Sequence, residues 1–414
     1  MGKWNKATIK KLTICHLGHK NVLERSGGIE VVVHELASRM AGLGHNVTCF
    51  NRSGHHVSGQ ELVQKKLKEY NGIHLKYVFT IRRRGLAAIT SSISAALCAA
   101  LGKYDIVHFH AEGPAAMCWL PKLTGKKVVV TIHGLDWQRA KWGKFASKYI
   151  MLGEKCAVKY ADKVIVLSKN IQEYFWKTYG RETVFIPNGI SRPTEVPANL
   201  IQKKWGLEKD DYILFLGRLV PEKGIEYLIK AFKKTATTKK LVIAGGTSDT
   251  DSFVTELKLS SIEDKRILFT GFAHGKVLEE LYSNAYLYVL PSDLEGMPLS
   301  LLEAMSYGNC CVVSDIPECM EVVEDKALLF PKGNIDKLAK CLQNLCDNKV
   351  TVDKYRSEAA DFICAKYNWD DVVSKTEHLY INALKCPGKS SDTLRKKEYV
   401  SGISGGIKNE SFND

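Results

Sequence analysis

The chain has 414 residues, 45% of them hydrophobic and 25% charged. That composition excludes disorder, collagen and coiled coil for the chain as a whole and fits two or three ordinary globular domains. Lysine and arginine exceed aspartate and glutamate by 14, unevenly: residues 1–190 hold 29 basic and 12 acidic side chains, residues 191–414 hold 30 and 33.

A basic half joined to a near-neutral half predicts two domains with different partners. An anionic membrane surface, an anionic ligand and nucleic acid all suit the first. Twelve cysteines, with no C-x-x-C pair and no histidines at zinc spacing, predict a reducing compartment without a disulfide framework. Residues 1–11 are basic, but the apolar stretch after them is too short for a signal peptide and lacks a cleavage pattern. No run reaches the roughly 18–20 apolar residues of a membrane span. The longest candidate, 86–101, is interrupted by Thr90, Ser91, Ser92 and Ser94. The expectation is a cytoplasmic protein.

In chain order, β-branched runs predict strands at 11–16, 46–51, 73–78, 106–110, 127–132, 163–167 and 184–186. Helical spacing falls between them, as at 29–40 and 144–160. Pro187-Asn188-Gly189 then signals a turn, and three prolines within eleven residues mark a boundary near 187–197. A second series follows at 212–216, 240–244, 267–270, 285–290, 310–314 and 328–330. Near-continuous apolar strands alternating with helices predict parallel sheets covered on both faces. The fold class is therefore α/β, with two doubly wound Rossmann-like domains and ligand at the carboxyl ends of their strands, in the cleft between them. Residues 389–414, rich in Ser, Gly, Asn and charge, predict a disordered tail.

Three loops at predicted strand ends carry chemistry. Ser26-Gly27-Gly28 precedes a helix, where glycines let backbone N–H groups approach a phosphate; a tight turn without ligand reads equally from those residues. Arg218 and Lys223, within Gly217–Gly224, can converge on one diphosphate, Arg by two-point contact and Lys as a compact charge. The most specific segment runs from Asp293 through Glu295, Gly296, Met297, Pro298 and Leu299 to Glu303. Its glycine turn opens a helix whose free N–H groups suit an anion, and its carboxylates can grip vicinal hydroxyls. Capping would explain Asp293 and Glu295 but not Glu303 inside Leu301-Leu302-Glu303-Ala304-Met305.

Together these motifs resemble the retaining GT-B glycosyltransferases of family four. The likeness runs from residue 11 to about 385 and includes His133-Gly134, Pro187-Asn188-Gly189 and the helical stretch around Trp369. The run His133-Gly134-Leu135-Asp136-Trp137-Gln138-Arg139-Ala140-Lys141-Trp142 is similar to a subgroup building bacterial surface polysaccharides. The resemblance implies an acceptor-binding domain over 1–190, with a returning helix at 367–385, a donor-nucleotide domain over 191–366, and the tail over 386–414. It implies that Arg218 and Lys223 neutralise the leaving diphosphate, aided by the backbone of Gly27, Gly28 and Gly296 to Leu299. Glu295 would face the transferred sugar, Glu303 the ribose hydroxyls, Phe272 the base, and His133 the cleft near the donor sugar, with Asp136 on the acceptor side. No metal or other cofactor is implied, because cations and helix ends supply the electrostatics. The donor would be a nucleoside diphosphate sugar and the acceptor a lipid-linked or oligosaccharide glycan.

Asp249-Thr250-Asp251 has the form of a D-x-D metal motif, but reads better as a solvated loop. The helix at 85–100 follows Arg82-Arg83-Arg84 and, with Lys65, Lys66 and Lys68, predicts contact with an anionic membrane on the inner face of the cell. A packed domain helix with solvated arginines is the plainer alternative. Nucleic acid is disfavoured by the lack of a binding module. Rival functions are a sugar-nucleotide epimerase of the same fold and a non-catalytic sugar-nucleotide-binding partner.

Overall fold

Fourteen strands assemble into two sheets in a computed structural model that describes residues 11–24, 27–52, 67–81, 83, 85–139, 143–247 and 250–385. Ser26, Lys65, Lys66, Arg82, Arg84, residues 140–142, Asp249 and the tail over 386–414 lie outside the described residues. The first eight strands are β1 (Thr13–Leu17), β2 (Asn46–Arg52), β3 (Glu69–Tyr70), β4 (Ile73–Val78), β5 (Ile106–His110), β6 (Lys127–Ile132), β7 (Lys163–Val166) and β8 (Val184–Phe185). They form one sheet in the order β3-β4-β2-β1-β5-β6-β7-β8, parallel except between β3 and β4. The others are β9 (Tyr212–Leu216), β10 (Lys240–Ala244), β11 (Ile267–Gly271), β12 (Leu287–Leu290), β13 (Cys311–Ser314) and β14 (Leu328–Phe330). Their order is β11-β10-β9-β12-β13-β14, all parallel.

Both sheets thus reverse strand order once, between β1 and β5 and between β9 and β12. In open parallel sheets that reversal opens a crevice at the carboxyl ends of the two flanking strands. The residues leaving those four strands are the ones a ligand would meet.

Burial explains the pattern. Val128, Val129 and Val130, and Tyr212, Ile213, Leu214 and Phe215, are completely buried, because helices cover both faces. On the first sheet, Ile14, Val47 and Ile106 pack under helices Gly28–Gly42 and Trp369–Lys385, while Val107, Phe109 and Val128 pack under helix Leu86–Leu101. Helix Trp369–Lys385 comes last in the described chain yet serves the first sheet. The crossing is pinned by a bridge between Ile190 and Asn368 and by His45 Nε2 against Glu377 Oε1 at 2.8 Å.

Predicted strand limits match the observed ones or differ from them by one or two residues. β3 is absent from the sequence reading because it has two residues, both exposed, and therefore no apolar alternation to detect. All eleven cysteines among the described residues are free. No described helix is long and apolar enough to cross a membrane.

Candidate functional site

Two loops leave the second sheet at its reversal. Gly217 and Arg218 follow β9, and Lys223 closes the short 3-10 turn Pro221–Lys223. The loop after β12 carries Ser292, Asp293 and Glu295 before helix Leu299–Ser306 begins. Lys223 Nζ donates to Glu295 Oε1 at 2.5 Å, and Ser292 Oγ donates to the same oxygen at 2.6 Å. Ser292 is itself fixed where its carbonyl accepts from Ser314 Oγ at 2.5 Å. Burial opposes charge on Glu295, but Lys223, Ser292 and Arg139 outweigh it and hold the carboxyl below its usual range. Both hydrogen bonds use Oε1, which leaves Oε2 as the remaining acceptor. Helix Leu299–Ser306 lies one residue earlier than the 300–307 that the sequence predicts. Its cap position is Pro298, with no side-chain cap, so neither Asp293 nor Glu295 caps it.

The first sheet supplies the opposite wall. His133 and Gly134 follow β6, and Gly134 takes φ +154°, a conformation that favours glycine. There the two halves touch backbone to backbone: a side chain on Gly296 would run into the carbonyl oxygen of His133. At the helix entrance of the first half, Gly28 approaches Leu299 so closely that a Cβ would stand 3.2 Å from its Cδ1. The Asn188 N–H points at Met297 Sδ at 3.0 Å. His133, Gly28 and the 296–299 turn therefore share one narrow cleft.

Behind His133 lies a file of histidines that motif reading missed. His110 Nδ1 is 3.2 Å from His133 Nε2, and His110 Nε2 is 3.0 Å from His16 Nδ1. His108 beside them bonds Tyr380 Oη through Nδ1 and Thr131 Oγ1 through Nε2, both at 2.7 Å. Burial lowers the His133 pKa to about 4 against the opposing pull of Asp136 and Glu30, lowers His16 to about 3, and drives His108 and His110 well below the usual value. All four are neutral at pH 7, so each histidine–histidine contact carries a single proton. Ring nitrogens of His16, His108 and His110 come within 4.8 Å of one another, a cluster that could ligate a metal ion. In this arrangement all but His16 Nε2, which is buried without a hydrogen-bond partner, are spent on one another, on His133, on Tyr380 and on Thr131. The sequence signal was His108-Phe109-His110, two histidines on one face of a strand; only the pairing of β1 with β5 brings His16 beside them.

A second missed group supports the turn after His133. Glu112 and Glu154 are both completely buried. Glu112 Oε2 accepts from the Asp136 N–H at 2.8 Å; Glu154 accepts from Trp137 Nε1 at 3.2 Å, from Tyr174 Oη at 2.9 Å and from Tyr179 Oη. Burial and Glu154 raise the Glu112 carboxyl well above the usual range, so Glu112 keeps a proton. The anchored segment is the 3-10 turn Asp136–Gln138, which delivers Arg139 to the cleft.

The remaining predicted residues are spread around this centre. Asp136 pairs with Arg139. Glu303 accepts from Tyr282 Oη at 2.9 Å, and Ser300 on the same helix is held by Tyr288, whose hydroxyl also reaches the Leu216 carbonyl at the end of β9. Phe272 is half-buried after the edge strand β11 and stacks on His274. It stands two strands from β9, or about 10 Å across the sheet. Thr250 donates to the Leu219 carbonyl at 2.7 Å and Asp251 opens a helix.

Comparison with known proteins matches both halves. The profile of Glycosyltransferase Family 4 covers residues 26–192, and that of Glycosyl transferases group 1 covers 198–368. An uncharacterized glycosyltransferase of Methanocaldococcus jannaschii is 29% identical over 69% of this chain and 77% of its own. An Escherichia coli UDP-Gal:alpha-D-GlcNAc-diphosphoundecaprenol alpha-1,3-galactosyltransferase is 28% identical over 68% and 76%. Among solved structures, Anabaena HepE in complex with UDP-glucose superimposes over 90% of this chain and 99% of its own, with TM-score 0.72 at 18% identity. Sucrose-phosphate synthase of Thermosynechococcus elongatus does so over 91% and 100%, with TM-score 0.74 at 21% identity. These structural likenesses establish the GT-B fold.

Proposed function

The chain belongs to the glycosyltransferases of family 4 and group 1, and on that premise we propose that it moves a sugar from a nucleoside diphosphate sugar to a lipid-linked glycan, retaining anomeric configuration, in surface polysaccharide biosynthesis. The observation that carries this reading is the Lys223–Glu295 pair beside Arg218, at the reversal of the second sheet and facing His133 across the cleft. Arg218 and Lys223 stabilise the charge that develops on the departing diphosphate, which needs donors fixed before reaction rather than recruited from solvent. Glu295 Oε2 is positioned to accept from a hydroxyl of the transferred sugar. Glu303 takes the ribose hydroxyls and Phe272 the base.

Retention follows if the acceptor attacks from the face the diphosphate leaves, with the leaving oxygen taking the acceptor proton. No side chain is assigned as a covalent nucleophile. Neutral His133 is a hydrogen-bonding group toward the sugar, and it adds no charge near the developing oxocarbenium. The reaction on this reading is metal-independent.

The acceptor side rests on the first half. Helix Leu86–Leu101 carries no charged residue; it buries Ser92, Ala95, Ala96 and Ala99 while leaving Leu86, Ile93, Leu97 and Leu101 exposed, with Phe79 and Ile81 on the approach to it. An uncharged apolar row next to Arg83 suits an anionic membrane surface, where a lipid-linked acceptor would be presented. The deciding experiment is a thermal-shift screen of nucleoside diphosphate sugars, since a ligand that binds the folded state raises its melting temperature by mass action. One donor should stand out, and transfer to a lipid-linked acceptor should follow with it. No shift with any donor would sink the proposal, and conversion of the sugar without acceptor would favour epimerisation instead.

A further inference from the structure

Arg139 is a cation that no motif of the second half accounts for. It enters the cleft from the first half, at the end of the turn Asp136–Gln138, and only 10% of its side chain is exposed. Nε donates to Asp136 Oδ1 at 2.6 Å, which fixes the plane of the guanidinium. Nη1 approaches Glu222 Oε1 of the second half at 3.6 Å without making a hydrogen bond, and neither oxygen of buried Glu222 has a hydrogen-bond partner. Nη2 stands beside the contact between Gly134 and Gly296, within 3.6 Å of where a Cβ on Gly134 would lie. A buried guanidinium that uses one donor of its fork and leaves two terminal nitrogens without hydrogen bonds is unfinished in a purely structural role.

The charges around it point to the missing partner. Arg139 lies close enough to Arg218 to disfavour the charge there, adding to burial, and Asp136, Glu222 and Glu295 only partly offset this. Among the described residues, the Arg218 side chain makes no hydrogen bond or ion pair. Two guanidinium groups and the Lys223 ammonium therefore crowd one cleft, with Asp136, Glu222 and Glu295 as the opposing carboxylates. Burial opposes charge on Arg139, but Asp136, Glu295 and Glu222 outweigh it and raise its pKa, so Arg139 stays charged. It is the hydrogen-bonding capacity of Arg139 and Arg218, not their charge alone, that is left unfilled. A planar fork with free terminal nitrogens matches a phosphate. A 420 Å³ cavity lined by Gln138, Glu222, Tyr227 and Asp293 adjoins this corner on the Glu222 side.

We propose that Arg139 is a phosphate-binding residue contributed by the first half to the site of Arg218 and Lys223, and that without ligand its fork is parked between Asp136 and Glu222. This deepens the sugar-nucleotide reading and rests on it. Phosphate binding draws Nη1 off Glu222 and ties the halves together through the ligand, so the cleft closes on the diphosphate and not on the nucleoside. The phosphate belongs either to the donor or to a lipid-linked acceptor, and these are separable.

The test is isothermal titration of UDP, GDP, CDP and dTDP, of the matching nucleosides, and of a short soluble isoprenyl diphosphate, into wild type, Arg139→Gln, Arg139→Lys, Glu222→Gln and Arg218→Gln. Removing a charge-assisted hydrogen bond to phosphate weakens binding about tenfold or more. Arg139→Gln should lose that much for the tightest nucleoside diphosphate if the donor supplies the phosphate, or for the isoprenyl diphosphate if the acceptor does. Nucleoside affinity should stay unchanged and Arg139→Lys should fall between. Glu222→Gln, which removes no cation, should tighten the same ligand severalfold by releasing the fork. If Arg139→Gln leaves both phosphate ligands within about twofold of wild type while Arg218→Gln weakens the nucleoside diphosphate tenfold, the role of Arg139 is refuted and the donor site stands. If no nucleoside diphosphate binds wild type, the underlying reading falls and this inference with it.

Discussion

Gly296→Ala tests whether the contact between the two halves sets the reacting geometry. A Cβ at this position would stand 2.6 Å from the carbonyl carbon of His133 and 2.8 Å from Gly134 Cα, where ordinary contact begins near 3.4 Å. Both neighbours are backbone, so no side chain can rotate away. The turn carrying His133, Asp136 and Arg139 must retreat from the 296–299 segment by more than about 1 Å, and a misplacement of about 1 Å can already cost about 10²-fold in rate. Few buried apolar contacts are lost, so the melting temperature should move little. The assay is kcat and KM for transfer from the donor found by thermal shift, together with the melting temperature of the variant. A variant with unchanged kcat would show that the approach of Gly134 to Gly296 does not set the catalytic geometry. Lost activity with an equally large loss of stability would assign the effect to folding.

Glu295→Ala removes the partner of a buried ammonium. It should abolish transfer at saturating donor and destabilise the fold by about 3 kcal/mol in urea unfolding; unchanged transfer would remove Glu295 from the site. Glu112→Gln keeps a donor toward Glu154 without a titrating proton. Because the folded-state pKa of Glu112 is raised, its contribution is fully present below the unfolded value near 4.5 and is lost as pH rises. The melting-temperature advantage of Glu112→Gln over wild type should therefore grow from pH 5 to pH 9, and a constant difference would mean that Glu112 is ionised. Neutral His133, with its pKa near 4, should leave kcat without an inflection between pH 5.5 and 7.5 that His133→Asn removes. Replacing Arg82, Arg83 and Arg84 by Ser should weaken binding to phosphatidylserine vesicles roughly 10²-fold and spare nucleotide affinity; equal losses would undo the division between a membrane-facing half and a donor half.

The strands were legible because a parallel sheet buried on both faces demands near-continuous apolar runs, such as those at 128–132 and 212–216. The loops that carry Arg218, Lys223 and Glu295 were legible for a related reason. Arg218, Lys223 and Glu295 stand next to strand ends, so their distance along the chain from a recognisable strand already fixes their place in space. The fold class and one wall of the cleft were thus determined by the sequence itself. On the other wall His133, Gly28 and Asp136 were also named from the sequence, but the groups that support them were decided by tertiary structure alone. His16 and His110 are 94 positions apart and meet only because β1 pairs with β5. Glu112 and Glu154 meet only because the helix Lys144–Tyr160 packs on the segment after β5, where Gly153 lies against the Glu112 carbonyl. Arg139 finds Glu222 only when the two halves meet across the cleft. Local periodicity reports which elements form, but strand order and the docking of the two halves are set by long-range contacts that leave no spacing in the chain.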